Sequence, residues 1–196
     1  MNKKVKLGQF FTKKDIWLKD QIRDFIMKST QSVAYDPFAG AGDLLLLATQ
    51  LGFHKTKGLD IDENLSWEIN DSLKKIPHYE NAIIITNPPY IAKQSATRKN
   101  INLSDYFNDS IYDDVYLIAL DRMLEAQKYI VAIVPESFIN SNYKQKNLLH
   151  SITILEENPF EDTENPVCVV CFDGRKKDFS EIKVFSGSRY LNNLAY

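Results

Sequence analysis

Ala82-Ile83-Ile84-Ile85-Thr86-Asn87-Pro88-Pro89-Tyr90 decides how the rest of the sequence is read. Residues 82–86 form a β-branched apolar run with polar residues before it and two prolines after it, the pattern of a fully buried strand. Pro88 biases Asn87 away from helix, and neither proline has a backbone N–H to donate. The strand therefore stops abruptly. It leaves two acceptors exposed at its carboxyl end, the Asn87 side-chain oxygen and the Pro88 carbonyl. Tyr90 follows with a flat π face, although a tyrosine at the rim of a core is the plainer account of it. Two acceptors beside an aromatic plate suit a planar group that carries an NH2, such as an adenine or an amide.

Upstream, Val33-Ala34-Tyr35 reads as a short strand. It runs into Asp36-Pro37-Phe38-Ala39-Gly40-Ala41-Gly42-Asp43 and then a helix from Leu44 to about Gln50, closed by Gly52. Strand, glycine-rich turn and helix make the first half of a nucleotide-binding βαβ unit. Glycine lets backbone approach a ligand, and the helix amino terminus offers unpaired N–H groups. A lone Gly-x-Gly is a weak signal. It gains weight from Lys57-Gly58-Leu59-Asp60-Ile61-Asp62, a second strand ending in acids about twenty residues on, where a carboxylate hydrogen-bonds ribose hydroxyls. Either Asp60 or Asp62 serves equally well as a helix cap.

The remaining elements fall around these two strands. Thr12 and Asp15 resemble a capping box that starts a helix reaching about Lys28, with Ile16, Leu18, Ile22, Phe25 and Ile26 on one face. Residues 63–68 leave room for about one helical turn before Asp71. Residues 91–110 form a long polar loop, of the kind that is functional or disordered. A helix over 112–126, a strand over 129–135, a helix from Asn142 to about His150, and strands over 152–155 and 167–172 follow, and Glu181 to Phe185 can pair back. Strand–helix alternation predicts an α/β fold with a mostly parallel sheet and an antiparallel hairpin at the carboxyl end.

With 196 residues the chain fits one domain, with a helical segment over 1–30 and the sheet core over about 31–185. Its 44% hydrophobic and 26% charged residues are ordinary for a globular protein. No apolar run approaches the ~20 residues of a membrane span, and no apolar stretch follows the basic amino terminus, so cytoplasmic is the default. Cys168 and Cys171 stand three apart on a strand and face opposite sides, which rules out a shared metal or a disulfide there; no metal site is expected. A net charge of −2 does not announce nucleic acid. The early lysines read as solvated, but Lys93, Arg98 and Lys99 follow the Asn-Pro-Pro-Tyr turn where a substrate backbone would lie.

In this order the pieces resemble the S-adenosylmethionine-dependent DNA adenine-N6 methyltransferases of restriction–modification systems, in the group whose cofactor motifs come first. The resemblance covers roughly Leu7 to Phe172 and implies a Rossmann-like class I methyltransferase fold. It implies that Gly8 and Gln9, Phe10, Phe11, Thr12 form the methionine-binding motif. Asp36, Phe38, Ala39, Gly40 and Gly42 correspond to the glycine loop, Asp60 with Ile61 to the ribose site, and Asp71 with Ser72 to the site of the cofactor's adenine amine. Asn87, Pro88, Pro89 and Tyr90 correspond to the catalytic motif, with Asn87 also near the cofactor. Phe160 falls where a second aromatic packs on the extruded base, although core packing is the other account of it. Only Asp71 stands at unusual spacing, because the segment before it is compressed.

The implied partner is double-stranded DNA. In this group sequence recognition lies beyond the last sheet strand, and about twenty-four residues follow Phe172 here. Recognition is therefore expected from a separate specificity subunit or a further carboxyl-terminal region. Two other readings use the same turn: a methyltransferase for an RNA base or a protein glutamine amide, and a non-catalytic subunit that only binds nucleic acid. The Gly-Gln-Phe-Phe-Thr start favours DNA adenine, and the intact acids favour an enzyme.

Overall fold

A computed structural model describes residues 14–98, 102–108, 110–159 and 165–195. Among these residues nine strands form one sheet: β1 (Val33–Asp36), β2 (Lys55–Asp60), β3 (Glu68–Ile69), β4 (Ala82–Thr86), β5 (Tyr129–Pro135), β6 (Leu149–Ile154), β7 (Val167–Phe172), β8 (Lys183–Ser186) and β9 (Arg189–Asn193). Their spatial order is β3-β2-β1-β4-β5-β7-β6-β8-β9. From β3 to β5 every pairing is parallel. Strand β7 enters antiparallel between β5 and β6, and β8–β9 is an antiparallel hairpin turning at Gly187. Strand β8 itself lies parallel on β6.

Among the described residues five α-helices accompany the sheet: α1 (Asp20–Lys28), α2 (Asp43–Gln50), α3 (Lys93–Arg98), α4 (Ser104–Asn108) and α5 (Val115–Ala126). The central strands β1, β4 and β7 are buried at every residue. Such runs need cover on both faces. One layer joins Tyr35, Ile84, Ala132 and Val170 to α5, and the other joins Ala34, Ile83, Val131 and Val169 to α1 and α2. Cys168 belongs to the first layer and Cys171 to the second; both are free thiols. Burial pushes both thiols up, Cys171 to about 12.

Several expected elements differ. The capping-box residue Thr12 lies outside the described residues. The segment after it is a 3-10 helix over Lys14–Trp17, and α1 starts only at Asp20. Residues 61–67 make a tight turn, not a helical turn, and lead into β3. Asp62 closes that turn by accepting from Asn64 N–H at 3.0 Å, the local side-chain bond by which aspartate favours turns. The expected 91–110 loop contains α3 and α4, anchored by Leu103 and Phe107 in the core. The helix expected over 142–150 is instead a 3-10 turn at Lys146–Leu148 followed by β6. Pairing with β7 and β8 on both sides settles that segment, a long-range term outweighing local pattern.

Among the described residues no helix is long and apolar enough to cross a membrane. Ile84 sits at the middle of β4 with 0% exposure. Truncating it to alanine leaves a void between two close-packed layers, so Ile84→Ala is expected to lower unfolding free energy by about 2–5 kcal/mol in urea titration.

Candidate functional site

The site is built where β1, β2 and β4 end side by side. Asp36 closes β1 and Thr86 closes β4. The Thr86 hydroxyl donates to Asp36 Oδ1 at 2.5 Å, and the Phe38 N–H donates to the same oxygen at 3.0 Å. One carboxylate thus fixes the start of the glycine turn against the strand that delivers Asn87. Asp36 is 2% exposed, and burial raises its acid to about 7, opposed by these two hydrogen bonds and helped by the charge of Asp60. Its bonds point into the strand ends, so it anchors the loop.

The turn itself is held from β2. The Ala39 N–H donates to Leu59 O at 2.9 Å, and the Gly40 N–H donates to Asp60 Oδ2 at 2.8 Å. The other Asp60 oxygen accepts from the Asp62 N–H at 2.9 Å. Asp60, 1% exposed, therefore clasps the glycine turn to the end of its own strand. Gly40 and Gly42 take φ values of +52° and +89°, a left-handed backbone that glycine adopts without steric cost. Gly42 is the residue from which α2 starts.

Beside this turn lies a cleft open to solvent. Phe38, Asp60, Ile61, Asp71 and Ser72 all line it, as does Pro89 of the Asn-Pro-Pro-Tyr turn. The compressed segment thus still brings Asp71 to the cleft. Ala39, Gly40 and Gly42 shape the adjoining turn and do not line the cleft. Sequence reasoning missed several further wall residues, among them Asn70, Leu73, Leu103 and Tyr106. The last two come from the segment read as a loop; Leu103, Tyr106 and Phe107, at helical spacing, were the available signal. The Tyr106 hydroxyl donates to Asp71 Oδ2 at 2.9 Å, and Lys74 Nζ stands 3.5 Å from the same oxygen. Burial, then the bond and charge of Asp71, raise the Tyr106 phenol to about 12.

Phe38, Ile61, Leu73 and Tyr106 give the cleft apolar walls, and the Asp60 and Asp71 carboxylates stand among them, the mixed lining of a small-molecule site.

The Asn-Pro-Pro-Tyr corner is closed by its own hydrogen bonds. Asn87 is half-buried, Pro88 and Pro89 are buried, and the Asn87 Oδ1 accepts a hydrogen bond from the Tyr90 hydroxyl. That hydroxyl also lies 2.7 Å from Ile133 O on β5, and the Tyr90 ring packs on both core layers, edge-on to Tyr116. Tyr90 thus turns its hydroxyl inward, because a phenol carried into apolar surroundings needs hydrogen-bond partners. Burial holds its ionisation well above the usual range.

A family model described as the Eco57I restriction-modification methylase matches residues 11–163 of this chain. The chain belongs to that family. Among solved structures, this Eco57I-type methylase is similar to the type I restriction-modification system methyltransferase subunit from Streptococcus thermophilus, at 18% identity and TM-score 0.63 over 96% of this chain and 51% of that one. The type I restriction enzyme EcoKI M protein aligns at 16% identity and TM-score 0.64, over 91% of this chain and 48% of that one. A class I S-adenosylmethionine-dependent methyltransferase from Listeria monocytogenes, described as putative, aligns at 14% identity and TM-score 0.62, over 92% and 66%. The fold is that of class I methyltransferases, and the chain spans about half the length of the type I subunits it matches. A comparison with curated protein sequences gives no significant match.

Four residues of the methylase's expected methionine motif, Gln9, Phe10, Phe11 and Thr12, lie outside the described residues. So do Lys99 and Phe160. Lys93 and Arg98 bracket α3; Lys93 Nζ stands 5.8 Å from the Phe107 ring centroid, and Arg98 Nη2 donates to Ser95 Oγ at 3.4 Å.

The raised pKa of Asp36 gives a pH signature. Below about pH 4 it is protonated in both folded and unfolded chains. Between about 4 and 7 only the unfolded chain ionises, so stability falls across that window and is level above it. Asn at position 36 keeps an oxygen for Thr86 and Phe38 but cannot ionise. The stability of wild type relative to Asp36→Asn is therefore expected to decline from pH 4 to 7 in urea titrations, with no further change above.

Proposed function

We propose that this chain transfers a methyl group from S-adenosyl-L-methionine to the exocyclic N6 amine of adenine in DNA. The observation that carries the reading is the position of the Asn87-Pro88-Pro89-Tyr90 turn. It leaves β4 beside the glycine turn of β1, with Pro89 on the wall of the cleft that Asp60 and Asp71 also line. Membership of a restriction-modification methylase family supports it.

S-adenosylmethionine supplies an electrophilic methyl group on a sulfonium. Asp60 takes its ribose hydroxyls and Asp71 its adenine amine, while Gln9, Phe10, Phe11 and Thr12 belong to its methionine end. The acceptor nitrogen of adenine is a poor nucleophile because its lone pair is delocalised into the ring. The Asn87 side-chain oxygen and the Pro88 carbonyl accept both amino hydrogens, favour a pyramidal nitrogen, and disperse the positive charge that develops as the methyl arrives. The sulfonium sulfur keeps the electron pair of the broken S–CH3 bond and leaves as neutral S-adenosylhomocysteine, and the methylated nitrogen gives up one proton to solvent; the chain's contribution is alignment and electrostatics, with no general base.

In a duplex this amine is engaged in base pairing, so the adenine is flipped out and stacked against Tyr90, with Phe160 as the other wall. On entry the amine replaces the Tyr90 hydroxyl at Asn87 Oδ1. Lys93, Arg98 and Lys99 contact the DNA backbone, and recognition of the site comes from a separate specificity subunit.

Asn87→Ala is expected to abolish methyl transfer while cofactor affinity, read by calorimetry, stays within about threefold. A purified variant that methylates DNA at near the wild-type rate overturns the assignment. Labelled methyl groups offered with DNA, RNA and protein acceptors in parallel are expected to reach adenine in DNA; label in RNA or in a glutamine amide instead replaces the substrate.

A further inference from the structure

Trp67 lies in the compressed segment that follows β2, outside every motif in the sequence. Its indole Nε1–H donates to Gly40 O at 2.9 Å. The N–H of that same glycine is held by Asp60 at 2.8 Å. Gly40 is therefore gripped at both its N–H and its carbonyl by two side chains from residues 60–67.

The ring explains Gly58, which backbone conformation does not, and adds a second reason for glycine at position 42, where φ is already positive. A Cβ on Gly58, inside β2, would fall 2.4 Å from Trp67 Cε3. A Cβ on Gly42 would fall 2.8 Å from Trp67 Cζ2. Interior glycine in a strand often marks close approach by another group, and here that group is the indole. Gly40, by contrast, has nothing nearer than 3.9 Å to its absent Cβ, so only its positive φ calls for glycine. The half-buried ring is clamped between β2 and the start of α2, and packs on the core layer formed by those helices.

We propose that Trp67 is a positioning residue for the cofactor. It sets the glycine turn, through the Gly40 carbonyl and the Gly42 contact, in the conformation that borders the cleft. A short segment with one turn and one large side chain thereby does the bracing for which there is no room for a helix. This rests on the reading of the cleft as the S-adenosylmethionine site.

The test is calorimetric binding of S-adenosylmethionine and S-adenosylhomocysteine, with steady-state methylation of DNA. Trp67→Phe keeps an aromatic ring and loses the N–H. It is expected to weaken cofactor binding at least tenfold and raise the cofactor KM in step, with kcat at saturating cofactor and the DNA KM both changed less than about threefold. Gly58→Ala keeps the indole but displaces it, and the same split is expected. A role in packing alone lowers the thermal midpoint and leaves cofactor affinity unchanged in the folded fraction, which overturns the proposal. Wild type that binds neither cofactor form overturns the cleft assignment and this proposal together. Wild type that binds while both variants bind equally well overturns this proposal only.

Discussion

The hydrogen bond from Thr86 to Asp36 is the constraint on which the site depends. Strands β1 and β4 are parallel neighbours, so their carboxyl ends emerge on the same edge of the sheet. Parallel pairing alone would leave the two exits free to splay. The Thr86 hydroxyl removes that freedom by joining the last residue of one strand to the last residue of the other. The carboxylate it joins also sets the first bend of the glycine turn through the Phe38 N–H. Asn87 and Phe38 are then placed by one shared anchor. Desolvating that anchor disfavours its charged form, a cost offset by the neutral donors that surround it.

Three acids at this edge have internal partners, and each does a separate piece of construction. Asp36 joins two strands, Asp60 clasps the glycine turn to β2, and Asp71 receives Tyr106 from α4. On the proposed reading the acids that meet the cofactor are oriented before it arrives, which lowers the ordering cost of binding. The bond from Tyr106 to Asp71 also ties α4 to the wall of the cleft.

Much of this was legible in the sequence, for identifiable reasons. Strands β4, β5 and β7 stand out as apolar runs too continuous for a half-exposed helix, and the structure places them at 82–86, 129–135 and 167–172. The glycine turn and its following acid were visible because φ > 0 and strand-end chemistry restrict the residues allowed there. What escaped was held by contacts distant in sequence. Residues 149–154 become a strand because β7 and β8 flank them. The helices α3 and α4 are short and mostly polar, so Leu103 and Phe107 had to find a core before their spacing meant anything. Trp67 carried no motif, and its place under the turn shows only when Gly42 and Gly58 are seen together. The inward Tyr90 hydroxyl follows from Ile133 O, a carbonyl 43 positions away.

Strand β7 runs through the sheet with one thiol in each layer, both at 0% exposure. A thiol reacts as its thiolate, and burial suppresses that form at both positions. Alkylation at Cys168 requires the α5 layer to lift from the sheet, and alkylation at Cys171 requires the α1–α2 layer to lift. The pair are thus two native clocks on a single strand, timing separately the breathing of the two halves of the core.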